Sequence, residues 1–307
     1  MAPTGDRDLI RRAMSRTQGP EAPASEAAQG EPEPAAPRKA PSVASPYFAW
    51  KPELGEPRQP MAQGRRYEPP TRFITLDEAI RGVELQHGQW GPSFVRCDAA
   101  SDLGRTATSI ETLVRSAFGD PDAACSLAVA ASTGRPPQRA IFLDIETTGL
   151  GNSPVFLVGM LEFDQGTLTL NQHLARDYSE EAAAVAWSVE ALAGADAVLS
   201  FNGKSFDVPY LRARAAATGV AWTAPAAHLD LLHMARRCWA EALPDCKLQT
   251  LERQVCARRR AEDIPGWAVP DAYHHFVRTG NATHLERIME HNLQDLLTLA
   301  ELAARLP

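Results

Sequence analysis

The chain has 307 residues, 44% of them hydrophobic, with a formal net charge of −7, enough for one sizeable core with extensions. No apolar run is long enough to span a bilayer and the N-terminus has no long apolar leader segment, so neither a membrane partner nor a secretory leader is expected. The five cysteines are odd in number and none has CxxC spacing, which excludes a zinc knuckle and a disulfide framework and suits a cytoplasmic location.

The charge is uneven: from Ile141 onward 14 basic and 21 acidic residues carry the whole excess. Nucleic-acid binders are usually basic, so phosphate attraction alone is disfavoured, unless several of the carboxylates hold cations, which invert the local charge logic.

Residues 1–45 are rich in Pro, Ala, Glu and Ser and are expected to be a disordered tail, too poor in apolar surface to offset the entropy of ordering. A short amphipathic turn is expected at 8–16, and the tail is a candidate segment for a protein partner. Residues 46–140 read as a small accessory region. It holds a short helix at 75–81, runs at 83–87 and 93–97 that flank GQWGP and pair as a hairpin, and helices near 108–118 and 121–131. GRPPQR at 134–139 breaks the pattern.

From 141 the pattern is compact. Strands are expected at 141–147, 155–163 and 167–174, the last two joined by Asp-Gln-Gly in a hairpin. A helix opens at Ser179 with Glu180 and Glu181 in its first turn and runs to about 193. A strand at 197–201 leads to a helix from about 206 to 219. Helices follow at 229–241 and 247–257. Thr283 and Glu286 have capping-box spacing at the head of a last helix that ends near 304. This order is mixed α/β, without internal repeats.

Three segments carry carboxylates. Along the first strand, Ile141, Leu143 and Ile145 share one face, and Phe142, Asp144 and Glu146 the other. Two acids on one face of an apolar strand need solvent or a cation. Alone, the pattern also suits an edge strand with one wet face. Asp207 opens a helix directly after a buried strand, where the helix dipole favours an acid. His291 and Asp295 lie four apart on one helical face and, taken alone, read as a solvated pair. Together the acids form a set that hard divalent cations favour, and two such ions serve phosphodiester cleavage.

The run Asp144-Ile-Glu146-Thr-Thr-Gly149-Leu resembles the first motif of DEDD-type 3′→5′ exonucleases. Asn202-Gly-Lys-Ser-Phe206-Asp207 resembles their second motif, and His291 through Asp295 their third. The likeness is closer to the YprB-like branch, on His228-Leu-Asp230-Leu-Leu, Leu248-Gln-Thr-Leu-Glu252, Asp263-Ile-Pro-Gly266 with Val269-Pro270, and His291-Asn292. The resemblance covers about 141–304. It implies a ribonuclease H-like mixed sheet flanked by helices. It implies Mg²⁺ or Mn²⁺ (two ions) on Asp144, Glu146, Asp207 and Asp295, and catalytic roles for His291 as general base and for Glu146. It also implies substrate contacts from Thr147, Gly149, Leu150, Asn202, Lys204 and Phe206. The third motif departs from the family: with three intervening residues the usual base is Tyr, whereas His is usual with four. Both spacings keep the base on the acid's helical face.

Other residues carry weaker signals. Asp230 reads first as a helix cap and second as a metal ligand. Lys204 in isolation is an ordinary exposed lysine. Arg236, Arg237, Lys247, Arg253, Arg258, Arg259 and Arg260 outnumber the acids between 231 and 260 and read equally as a backbone track or a solvated helix surface. Tyr273 and Phe276 read as core before base-stacking groups, and His274 and His275 are poorly spaced for one metal. The expected activity is hydrolysis of phosphodiesters in single-stranded DNA or RNA from a 3′ end. The alternatives are an endonuclease on the same fold, a binding module that does not cut, and an adaptor acting through its Pro-rich tail.

Overall fold

The computed structural model describes residues 66–149, 151–260 and 263–306. The expected tail, its turn at 8–16, and Leu150 lie outside these residues. Glu68–Pro307 forms one compact unit.

Seven strands form one sheet: β1 (Val83–Gln86), β2 (Pro92–Ala99), β3 (Arg139–Thr147), β4 (Val155–Asp164), β5 (Thr167–Leu174), β6 (Ala197–Ser200) and β7 (His228–Asp230). Their order is β1-β2-β5-β4-β3-β6-β7. The pairs from β1 to β3 are antiparallel, and β3-β6-β7 are parallel. The helices are α1 (Leu76–Ala79), α2 (Arg105–Gly119), α3 (Ala124–Thr133), α4 (Glu181–Ala193), α5 (Asp207–Thr218), α6 (Leu231–Trp239), α7 (Leu248–Gln254), α8 (Val269–Thr279) and α9 (Thr283–Arg305).

Alternation along β3 divides the core into two layers. Phe142, with Leu161 and Leu199 beside it, packs under α2 (Ile110, Val114, Phe118) and α9 (Leu293, Leu296, Leu297). Ile141, Leu143 and Ile145 pack against Trp187 of α4 and Leu211 of α5. Acids on the Phe142 face therefore look toward α9.

Residues 68–140 fall within this same compact unit, and several of the expected elements need correction. The hairpin joins the main sheet through β2 against β5, and α2 lies over Phe142 and Phe163. The helix expected from 229 starts at Leu231, because Asp230 accepts a hydrogen bond from the Leu232 amide and caps it. His228–Asp230 is instead a strand. The helix expected to reach 257 stops at Gln254, and Ala257 takes a positive φ of 53°. Helix α8 adds to the expected elements; Pro270 in its first turn and Gly280 at φ 74° bound it. There Tyr273 stacks on Phe156 at 4.0 Å and Phe276 is buried, so both are core, and His274 bonds the Tyr178 hydroxyl. The box expected at Thr283 does not form: Thr283 is already helical, its amide and hydroxyl both bonded to Asn281 Oδ1. A box with the same residue types forms at α1, where Glu78 accepts from the amide and hydroxyl of Thr75.

The site end of β3 is braced by a buried ion pair. Glu181 accepts two hydrogen bonds from Arg214, at 2.6 Å each, and a third from the Val155 amide at the start of β4. Arg214 also donates to the Asn152 carbonyl. Removing one member of such a pair leaves an uncompensated buried charge, at a cost of about 3–5 kcal/mol. Glu181→Ala should therefore lower the urea midpoint by an equivalent amount with an unchanged slope; a loss under about 1 kcal/mol, the level of an exposed pair, would show that the brace carries little.

Candidate active site

The four acids converge from three elements. Asp144 and Glu146 lie on the α9-facing side of β3, Asp207 is the first residue of α5, and Asp295 lies mid-way along α9. Each carboxyl on β3 and α5 is held above its ordinary range. Burial does most of this for Asp144, with Asp295, Glu146 and Asp207 adding to it and one hydrogen bond from Asn292 opposing. Burial also pushes Glu146 up to about 8, with Asp295, Asp207 and Asp263 adding to it against the pull of His291. Burial pushes Asp207 up to about 7, against backbone hydrogen bonds from its own amide and that of Ile145.

The approach of α9 to β3 depends on three residues to which the sequence motifs assign no role. Asn292 is fully buried and donates to Asp144 Oδ2 at 2.8 Å. Its own amide oxygen accepts from Gln172 Nε2 at 2.8 Å. Gly159 faces Asp144 in the β3–β4 register, and a Cβ there would overlap the Asn292 amide. A glycine inside an otherwise bulky strand is the available signal of close approach.

His291 sits beside the acids. Its Nδ1 is 2.6 Å from Asp263 Oδ1 and its Nε2 is 3.4 Å from Asp295 Oδ2. Burial pulls its imidazolium down, but Asp295, Glu146 and Asp263 outweigh that and hold it above the ordinary histidine value. Asp263 thus orients the ring. Arg260 reaches into the same cluster, donating to Glu252 at 2.7 Å and to Asp295.

The basic stretch is therefore neither a backbone track nor a solvated face at two of its positions. Arg258 bonds Glu301, Thr298 and Gln294 on α9, and Arg260 bonds Asp295 there. Arg259 remains exposed.

The loop before α5 is shaped by Asp230, whose carboxylate accepts from the amides of Asn202 and Lys204 at 2.8 and 3.1 Å. Asn202 takes a positive φ of 65°, and a Cβ on Gly203 would overlap Ser200 and crowd Asp207. Asp230 acts as a loop anchor and helix cap. Of the residues expected at substrate, Lys204 is exposed beside the site, whereas Phe206 packs against Tyr210 at 5.2 Å. Thr147 donates to the Gly149 carbonyl, which also accepts from Tyr210.

Among the described residues, no three His, Cys, Asp or Glu side chains are already gathered as a metal cage. The donor chemistry nonetheless fits a hard cation: partly desolvated carboxyls that raise one another are short of positive charge, and oxygen is the ligand such cations take.

A family model described as the RNase H superfamily matches residues 141–307. The uncharacterised protein YprB of Bacillus subtilis (strain 168) is 34% identical over 170 residues, covering 52% of this chain and 40% of that protein. The chain thus spans less than half that relative's length. The family B DNA polymerase from the hyperthermophilic archaeon Pyrobaculum calidifontis superposes with a TM-score of 0.47 at 20% identity, over 56% of this chain and 25% of that chain. No helix among the described residues is long and apolar enough to cross a membrane. Because the family match runs from β3 through α9 and takes in more than half of the chain, the mixed sheet and its acid-lined end belong to a member of the RNase H superfamily.

Proposed function

We propose that this chain is a metal-dependent nuclease that cleaves single-stranded DNA or RNA from a 3′ end. The observation that carries the reading is the convergence of Asp144, Glu146, Asp207 and Asp295 beside a histidine oriented by its own carboxylate. Mg²⁺ or Mn²⁺ would be held by these acids and, when bound, would supply Lewis-acid stabilisation of the charge developing on the attacking and leaving oxygens.

The chain's own groups divide the remaining work. Asp263 accepts the Nδ1 proton of His291, which leaves Nε2 to take a proton in the reaction. Asn292 fixes one oxygen of Asp144 and directs the other toward the cluster. Asp230 keeps the 202–204 loop against Asp207. Lys204, the exposed cation of the second motif, is assigned to a substrate phosphate.

A second reading, binding without cutting, is favoured by the Arg260 guanidinium already seated on Asp295. Cleavage of an end-labelled and a circular single strand, with Mn²⁺ and with EDTA, separates the two. The nuclease reading expects a ladder from a 5′ label with Mn²⁺, because every product shortened from its 3′ end keeps that label, and expects none in EDTA and none on the circle. Asp144→Asn should abolish it, and His291→Ala should lower turnover by about 10²–10⁴-fold, the range of general-base catalysis. Cleavage of the circle would make the protein an endonuclease. Tight binding with no cleavage under any metal would make it a binding module.

The raised carboxyls set a pH dependence for the metal-free protein. A group that binds its proton more tightly when folded favours the folded state at low pH, and that advantage is lost as pH rises. The windows run from 3.8 to about 7 for Asp207 and from 4.5 to about 8 for Glu146. His173 and His228, whose imidazoliums burial pulls down, act with the opposite sign, so the comparison is made against Glu146→Gln. In EDTA, wild type should lose melting temperature relative to Glu146→Gln between about pH 5 and about pH 8, and Mg²⁺ should stabilise wild type more at the upper end because the ion displaces protons. Parallel melting curves for the two proteins would contradict the raised Glu146.

A further inference from the structure

The nuclease reading gives Asp295 to the cation, yet each oxygen of this carboxylate already faces a side chain. Its Oδ1 accepts from Arg260 Nη2, and its Oδ2 lies 3.4 Å from His291 Nε2. The same guanidinium donates through Nε to Glu252 Oε2 at 2.7 Å. Its Nη1 is 3.6 Å from Asp263 Oδ2, and Asp263 Oδ1 holds His291 Nδ1. One arginine thus touches the acid on α9, the acid that orients the histidine, and an anchor on α7.

Such a group can act as a plug in the cation's seat or as a brace that aims the carboxylate, and its anchoring separates the two. The Arg260 side chain is 8% exposed and that of Glu252 4%. A guanidinium is planar, with its donors fixed relative to one another. With Nε tied to Glu252, Nη2 cannot leave Asp295 unless that buried pair also breaks. Asp295 needs such a hold. It raises the carboxyls of Asp144 and Glu146 and is repelled by them in turn, so a carboxylate free to rotate would turn away from the cluster. Held at Oδ1, it keeps Oδ2 on the side of His291. A carboxylate ligand works only if its oxygen is aimed, and hydrogen-bond partners behind it do the aiming.

We propose that Arg260 is a positioning residue that fixes Oδ1 of Asp295 against the Glu252 anchor and so presents Oδ2 to the divalent cation. The proposal rests on the nuclease reading. It gives Glu252 a part in the site although that residue touches none of the four acids, and it makes the guanidinium a support of the cation's seat rather than an occupant.

The test measures Mn²⁺ binding to the full chain, stripped with EDTA and dialysed, from loss of the free ion's paramagnetic resonance signal, which needs no turnover. Arg260→Lys keeps the charge but replaces two fixed donors by one ammonium on a flexible stem. It should weaken Mn²⁺ binding by about 10–100-fold, the range for partners of metal ligands, and added Mn²⁺ should recover its turnover on a 5′-labelled single strand. Glu252→Gln, which keeps Arg260 and loosens its anchor, should move the affinity in the same direction, and it decides alone if Arg260→Lys does not fold. Arg253→Ala, at an exposed position on the same helix, should leave the affinity unchanged. A lowered melting temperature with unaltered Mn²⁺ affinity makes Arg260 a packing group only and overturns the proposal. Tighter binding by Arg260→Lys makes it a plug and also overturns it. If wild type cleaves while the variants bind Mn²⁺ as it does, the positioning role falls and the nuclease reading stands. Weakened binding in variants of a wild type that never cleaves keeps the positioning role and overturns the nuclease reading. No Mn²⁺ binding by wild type overturns both.

Discussion

Gathering the half-buried Asp144 and Glu146 and the buried Asp207 within reach of Asp295 is the constraint around which this end of the molecule is arranged. Desolvation is the largest influence on each of the first three, and like charge compounds it. An apolar core would not tolerate such a group, so the fold holds it by rigid geometry. Parallel pairing of β3 with β6 aims the start of α5 at the carboxylate end of β3. The Gly159 gap lets α9 come close enough for Asn292 to reach Asp144. The Arg214–Glu181 pair fixes the start of β4 from the opposite layer. Like charges this close together raise one another's carboxyl pKa values, as the upward shifts of all three show.

The cations the chain does place here serve the scaffold. Arg258 ties the loop after α7 to Glu301 and Thr298, one turn apart on α9. Arg260 bridges Glu252 to Asp295, and its side chain is only 8% exposed. Loop, α7 and α9 are thereby locked together, and Asp263 is carried to His291 by the same loop. In a run of arginines that looks like a phosphate track in one dimension, Arg258 and Arg260 become, once folded, a clasp on α9 beside His291 and Asp295.

Much of this is legible in the chain before folding is considered. The alternation of Phe142, Asp144 and Glu146 against Ile141, Leu143 and Ile145 marks the two core layers, and the three acid-bearing segments do meet. What is not legible depends on pairing partners distant in sequence. The short strand His228–Asp230 holds three residues and shows no period of its own; only β6 beside it makes it a strand. Asp263 and His291 are 28 residues apart, and no spacing rule connects a loop aspartate to a helical histidine. GRPPQR breaks local structure just before 141, where the family match begins, while the sheet itself continues through β5 to β2, a pairing that no local pattern announces.

That continuity bears on the uneven charge. A net charge of −7 concentrated after Ile141 is a poor attractant for a polyanion, and the acid cluster accounts for part of it. The Arg81–Asp98–Arg96 group lies before that point, on the strand pair that extends the sheet beyond β5. Charge is thus divided along the chain, with the excess of carboxylates after Ile141 and a pair of arginines gathered on Asp98 before it. Because β2 pairs with β5, which pairs with β4, which pairs with β3, the two charged regions stand on one continuous hydrogen-bonded sheet. Their separation is set by strand pairing, so the acid-bearing end of β3 is held against a rigid sheet, as a site built on regular elements requires.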